Sequence, residues 1–242
     1  MTTVLKLGGS VITEKDDPET IDEEALDRAA GALADQEGLV VVHGGGSFGH
    51  HHADRHGVST TVGTHDPEGI RAIHGAMKRL NATVVNALAD VGVPALPVHP
   101  MSAGHRDADG RLTFPTGGVE TMLAEGFVPV LHGDGVVHVD EGATVLSGDE
   151  LVAVLASALG ADRVGVCSAV AGVYDENGAI LDRIESLEAV VDALGDSDAT
   201  DVSGGMAGKV RELLGLEAPA HVFDLAGLEA FLDGEEPGTR IG

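Results

Sequence analysis

An apolar stretch with no alternation, Leu39–Val42, ends in His43-Gly44-Gly45-Gly46-Ser47. Four consecutive apolar residues leave no polar face for water, so the strand they form is buried on both sides. The arrangement recurs. Val4–Leu7 runs into Gly8-Gly9-Ser10, and Ser203-Gly204-Gly205, with Gly208 beyond, precedes a helical pattern near Met206–Leu214. Strand, glycine loop and helix in alternation imply an α/β chain, a three-layer αβα sandwich with a mainly parallel central sheet.

The remaining segments fit that class. Ile21–Leu33 has helical spacing. Ile70, Ile73, Met77, Leu80, Val84 and Leu88 make one apolar stripe on a helix over Ile70–Leu88. Ala95–Val98, Phe127–Leu131, Val136–Val139, Arg163–Val170 and His221–Phe223 read as strands. Ser147 with Glu150 forms a capping box that opens a helix through Leu159, which Gly160 stops. Asp175-Glu176-Asn177-Gly178 is a hairpin turn. A last helix spans Leu225–Leu232, and Met101–Gly118 reads as a polar hairpin or loop. With no long linker and no repeat, residues 1–242 are expected to form a single domain of two lobes, about 1–145 and 146–242.

Composition removes several function classes. The chain carries 40 acidic and 14 basic residues, a net charge of −26, which makes nucleic acid a poor partner. The apolar runs are of strand length, far short of a membrane span, and a soluble cytoplasmic protein is expected. The single cysteine, Cys167, excludes internal disulfides and reads as a small buried hydrophobe. Acid dispersed along the chain suggests adaptation to high salt, where screening makes self-repulsion tolerable. The lysines are only Lys6, Lys15, Lys78 and Lys209, and three of the four fall in or near glycine-rich segments.

Glycine lets the backbone approach an anion and turn its N–H groups inward, and a helix N-terminus adds partial positive charge. Three such loops with a lysine or histidine nearby point to phosphate chemistry. The chain has neither G-x-x-x-x-G-K-[ST] nor a G-x-G-x-x-G opening a βαβ unit, which argues against the common nucleotide loops. His52 and His56 have the i, i+4 spacing that can hold zinc, but no H-E-x-x-H or cysteine partner accompanies them, so no metal-ligand set is assigned.

Taken in order, K-L-G-G-S at Lys6–Ser10, Lys15, G-G-G at Gly44–Gly46, S-G-D at Ser147–Asp149 and G-G-M-x-G-K at Gly204–Lys209 resemble the amino acid kinase superfamily over nearly the whole chain. Within it, H-G-G-G-S-F-G-H at His43–His50 and G-T-R-I at Gly238–Ile241 look like the isopentenyl phosphate kinases. The resemblance implies transfer of the γ-phosphoryl group of ATP, with Mg²⁺, to isopentenyl phosphate, and a homodimer. It implies catalytic roles for Lys6, Lys15, His50, Asp149 and Lys209. Lys6, Leu7, Gly8, Gly9, Ser10, Gly46, Ser168, Gly205 and Lys209 would bind ATP. Gly45, Gly49, His50, Gly148, Met77 and Leu80 would bind the acceptor. His50, near the start of the helix after the triple glycine, would donate to the acceptor phosphate, and a nearby dianion should raise its pKa.

One departure stands out. Related kinases commonly carry an acidic T-D-V-D-G-V-Y turn where this chain has Ser168-Ala169-Val170-Ala171-Gly172-Val173-Tyr174. That leaves base preference and metal geometry open. Another small-phosphate or phosphonate kinase of the superfamily, such as a fosfomycin kinase, remains an alternative. So does a non-catalytic nucleotide-binding or storage protein on the same fold.

Overall fold

The computed structural model describes residues 1–186 and 205–242; Ser203 and Gly204 of the third glycine loop lie outside them. The chain runs through β1 (Thr3–Leu7), α1 (Gly9–Ile12), α2 (Glu23–Ala32), β2 (Leu39–His43), α3 (Gly46–His56), α4 (Pro67–Asp90) and β3 (Ala95–Pro97). It continues with β4 (His105–Arg106), β5 (Leu112–Thr113), α5 (Gly117–Ala124), β6 (Val128–His132), β7 (Asp134–His138), β8 (Gly142–Leu146) and α6 (Gly148–Leu159). Then come β9 (Arg163–Cys167), β10 (Arg183–Ile184), α7 (Gly205–Leu214), β11 (Ala220–Phe223), α8 (Leu228–Leu232) and β12 (Thr239–Ile241).

Among the described residues one sheet has the order β10-β12-β11-β9-β1-β2-β6-β3. All its neighbours pair in parallel except β11 with β12. β1 is central, in register with β2 on one side and β9 on the other. The sheet is therefore continuous across the expected lobe boundary near residue 145.

Alternation along the strands divides the core between two faces. Val4, Val40, Val42, Val164, Val166 and Val222 pack with Val119 of α5, Leu151 and Leu155 of α6, and Val210 and Leu213 of α7. Leu5, Leu7, Val41, Val130, Cys167 and Phe223 face the other way, onto α1, α2, Phe48 of α3, α4 and Phe231 of α8. This is the expected three-layer sandwich. It also sets the direction of one functional side chain: Lys6 shares the face of Val4, toward α6.

Local signals explain the helix boundaries. Asp66 accepts from the Glu68 and Gly69 amides, and Pro67 occupies the first turn of α4. Ser147 accepts from the Glu150 amide, and Gly160 ends α6 in the left-handed conformation. α2 starts later than Ile21, because Asp22 caps it and Ile21 instead bridges Thr13. The last helix is a 3₁₀ turn at Leu225–Gly227 followed by the shorter α8.

The polar segment Met101–Gly118 is more ordered than its composition suggests. It supplies a 3₁₀ turn at Pro100–Ser102 and strands β4 and β5 of a second sheet, β5-β4-β7-β8. Arg106 is buried there. Its guanidinium reaches both carboxylate oxygens of Glu150 at 2.6 Å and donates to the Gly110 carbonyl at 3.1 Å. This two-bond fork ties the small sheet to the first turn of α6, with Arg106 Nε left buried and unpartnered.

Candidate active site

The carboxyl ends of parallel strands are where α/β sheets bind ligands. β1, β2 and β9 end there in Gly8-Gly9, Gly44–Gly46 and Ser168. A cleft of about 660 Å³ opens over them, lined by Lys6, Gly8, Gly9, Ser10, Lys15, Gly45, Gly46, Gly49, His50, Met77, Gly148, Asp149, Ser168 and Lys209 among others.

The first two glycine loops touch backbone to backbone. A Cβ on Gly9 would run into the Gly46 amide, and one on Gly44 would meet the Gly9 amide. Gly46 has φ +48°, which its neighbours enforce: the Ser47 amide donates to Thr13 Oγ1 at 3.0 Å, and that hydroxyl donates to the Gly9 carbonyl at 2.8 Å. Only glycine allows this approach of the two backbones.

At the cleft floor is a charge cluster. Lys6 Nζ stands 2.7 Å from Asp149 Oδ1, and Lys209 Nζ stands 3.8 Å from Asp149 Oδ2. Lys6 is 5% exposed and Asp149 3%. One carboxylate thus holds two ammonium groups brought together from β1, α6 and α7. Gly148 leaves room for this, since a Cβ there would lie 3.1 Å from Lys6 Cε. Cys167 also lines the cleft, but burial pushes its thiol up to about 12, so it stays protonated and unreactive.

Part of the cleft wall is apolar. Ala53, Ile73, Met77, Val145 and Leu146 line it. The Met77 sulfur lies 2.8 Å from where a Cβ on Gly49 would stand, so this wall adjoins the helix turn that carries His50. Chemically the cleft offers cations and amides for phosphates, with an adjoining pocket for a hydrocarbon.

The chain matches the amino acid kinase family over residues 1–218. An isopentenyl phosphate kinase of Haloferax volcanii is 62% identical over 241 residues, covering 98% of this chain and 97% of that protein. This chain belongs to the isopentenyl phosphate kinases of the amino acid kinase family. The enzyme of Methanothermobacter thermautotrophicus is 37% identical, with 98% of each chain covered. A solved isopentenyl phosphate kinase structure superposes with a TM-score of 0.85 at 33% identity, covering 100% of both chains.

Most of the residues that the kinase motifs single out converge on the cleft, but Leu7 and Leu80 do not line it. Leu7 is 1% exposed and Leu80 fully buried, both within the apolar core on the α4 side. Leu80 follows Met77 on the same buried stripe, and that stripe meets the cleft only toward its N-terminal end. Gly205 is the first residue of α7. His52 and His56 make separate contacts, with Glu19 at 2.6 Å and Asp66 at 4.0 Å.

The sequence reading passed over Thr13, Asp134 and Arg106. Thr13 sits between the glycine loops and carries no motif. Asp134 is buried at the cleft edge, where His74 Nδ1 lies 3.0 Å from both carboxylate oxygens and the Gly135 amide donates at 2.8 Å. Its place in Gly133-Asp134-Gly135, straight after a strand, was the one available signal.

Proposed function

We infer that this chain transfers the γ-phosphoryl group of ATP to isopentenyl phosphate, giving isopentenyl diphosphate and ADP. The observation that carries the reading is the cluster of Lys6, Asp149 and Lys209 in a cleft that brings glycine loops and an apolar lining together. An acceptor oxygen of isopentenyl phosphate attacks the γ-phosphorus, and the bond from that phosphorus to the bridging oxygen of ADP breaks. The attacking oxygen is already anionic, so no general base is required. The barrier lies in bringing two polyanions into line and stabilising the charge on the transferred group.

The residues divide that work. Lys6 and Lys209 bind the ATP phosphates, held in place by Asp149. Lys15 offsets charge on the transferred phosphoryl group. Gly8, Gly9, Ser10 and Gly46 supply close amides and a hydroxyl around it. Gly45, Gly49 and His50 hold the acceptor phosphate. Met77, packed against Gly49, faces the hydrocarbon tail. Gly148 gives Lys6 its space, and Ser168 stands at the nucleotide end.

Among the described residues no three His, Cys, Asp or Glu side chains stand together as an ion's ligand set. The donor set fits a Mg²⁺ ion carried chiefly by the nucleotide's own phosphates. Bound in that way, the ion would neutralise charge between them. A homodimer belongs to the same reading, and light scattering on the eluted protein decides it.

The test is ADP release in high KCl with Mg²⁺-ATP, comparing isopentenyl phosphate with fosfomycin, UMP and acetylglutamate, with His50→Ala beside the unmodified chain. Turnover of isopentenyl phosphate, lost in the variant, is expected. Turnover of fosfomycin alone would transfer the assignment to the phosphonate kinases.

A further inference from the structure

Between α1 and α2 the chain leaves the core and returns. Thr13 and Ile21 pair across the base of this excursion, and the Glu14 amide donates to the Thr20 carbonyl at 3.0 Å. Lys15, Asp16 and Pro18 on it line the cleft, and Lys15 is exposed. A loop of this kind has little apolar packing of its own, so something else must hold its lysine in place.

Glu19 stands at the point of attachment. Its φ is +52°, and only Glu19 and Asp140 among the described non-glycine residues have a positive φ. A branched-off acidic side chain in that conformation is strained, and such strain persists only where the surroundings over-determine it. Here they do. Glu19 Oε1 lies 2.6 Å from His52 Nε2 on α3, and Glu19 Oε2 accepts from Arg79 Nε at 3.1 Å and Nη2 at 2.7 Å on α4. Its amide donates to the Ser47 carbonyl at 3.3 Å, and the neighbouring Thr20 amide reaches Ser47 Oγ at 3.4 Å.

The two helices so joined are those of the acceptor side. His52 follows His50 on α3, and Arg79 follows Met77 on α4. The hydrogen bond from His52, the largest influence, together with Arg79, holds the Glu19 carboxyl below its ordinary range despite some burial, in keeping with an ionised anchor.

We propose that Glu19 is a positioning residue, clamping the loop that carries Lys15 to the helices that carry His50 and Met77, so that Lys15 is presented to the transferred phosphoryl group. The proposal rests on the role given to Lys15 above. Glu19 touches no substrate; it fixes the distance between a catalytic cation and the acceptor site.

The experiment is a double-mutant cycle in turnover, combining Glu19→Ala with Lys15→Ala, with Glu19→Gly and Glu19→Gln alongside. Amide hydrogen exchange over residues 14–20 is read on each protein. Glu19→Ala is expected to lower kcat about ten- to hundredfold with little change in the KM for ATP, because misplacing a catalytic group by about an ångström costs that much. Exchange over the loop should rise. In the Lys15→Ala background the same substitution should change kcat less than about twofold. Glu19→Gly suits the left-handed backbone, so its melting temperature should fall less than that of Glu19→Ala, while turnover is lost to a similar extent. Full turnover in Glu19→Ala, or an equal loss in both backgrounds, would overturn the clamp while leaving Lys15 its role. Unchanged turnover in Lys15→Ala would instead remove the role of Lys15, and the proposal with it.

Discussion

His43 and His132 stand side by side at the register-paired ends of β2 and β6, their rings 5.4 Å apart and 26° from parallel. Each places Nδ1 on the carbonyl of the glycine that follows it, Gly44 at 3.0 Å and Gly133 at 2.8 Å. Both donate from Nδ1, so their Nε2 atoms accept, from Asn81 Nδ2 at 3.2 Å and from His99 Nδ1 at 2.9 Å. The strand ends that open the cleft are therefore pinned by neutral imidazoles. Burial pushes His43 down to about 4 and His132 to about 3.

That depression gives a pH dependence of stability. An unfolded histidine titrates near 6.5, while the folded His43 stays neutral to about 4. Between those values the unfolded chain binds a proton that the folded chain does not, so stability is present above pH ~6.5 and is lost as the pH falls toward ~4. His43 alone should account for about 3 kcal/mol over that window. Urea unfolding at pH 7, 6 and 5 measures the slope. His43→Gln should flatten it, and an unchanged slope would show that the carboxylates alone set the acid sensitivity.

Asp149 should matter for both folding and turnover. Removing it leaves Lys6 buried without its closest anion, and breaking a buried pair in this way costs about 3 to 5 kcal/mol. Asp149→Asn keeps the shape and loses the charge. It should lower the melting temperature and reduce kcat by about a hundredfold or more, since two phosphate-binding lysines lose their orientation together. If the residue only complements the N-terminal end of α6, the melting temperature should shift slightly and kcat should not move.

The Arg106–Glu150 fork should resist conservative replacement. Arg106→Lys keeps the charge but loses the two parallel bonds at 2.6 Å. A loss of about 2 to 4 kcal/mol is expected, close to that of Arg106→Ala. Thermal unfolding in high KCl distinguishes the outcomes, because this pair is shielded from salt by burial. Full recovery of stability by lysine would mean that charge, not geometry, holds the small sheet to α6.

These residues also show where sequence reading succeeded and where it stopped. The glycine loops were legible because backbone-to-backbone approach leaves no alternative side chain, as Gly9 against Gly46 illustrates. The central strands were legible because burial on both faces demands unbroken apolar runs. β4 and β5 span two residues each, too short for any period, and they are secured by Arg106 through Glu150, far away in sequence. The φ of Glu19 leaves no compositional trace. The apolar stripe of α4 was readable as one face, yet only the fold separates Met77, on the cleft wall, from Leu80, sealed in the core.

That separation leads to a prediction about substrate length. Met77 is buried, lines the apolar wall and packs against Gly49 beside His50. Met77→Ala removes most of a side chain from the side of the cleft proposed to hold the hydrocarbon. The cavity should cost about 2 to 5 kcal/mol of stability. In return the pocket should admit longer chains, so the ratio of kcat/KM for a ten-carbon isoprenyl phosphate to that for isopentenyl phosphate should rise about tenfold or more, each added methylene being worth about 1 kcal/mol once it finds an apolar site. Leu80→Ala is the control: it carries a similar stability loss, but it opens space in the core, so the ratio should hold. A rise with Leu80→Ala and none with Met77→Ala would place the hydrocarbon elsewhere than along this wall.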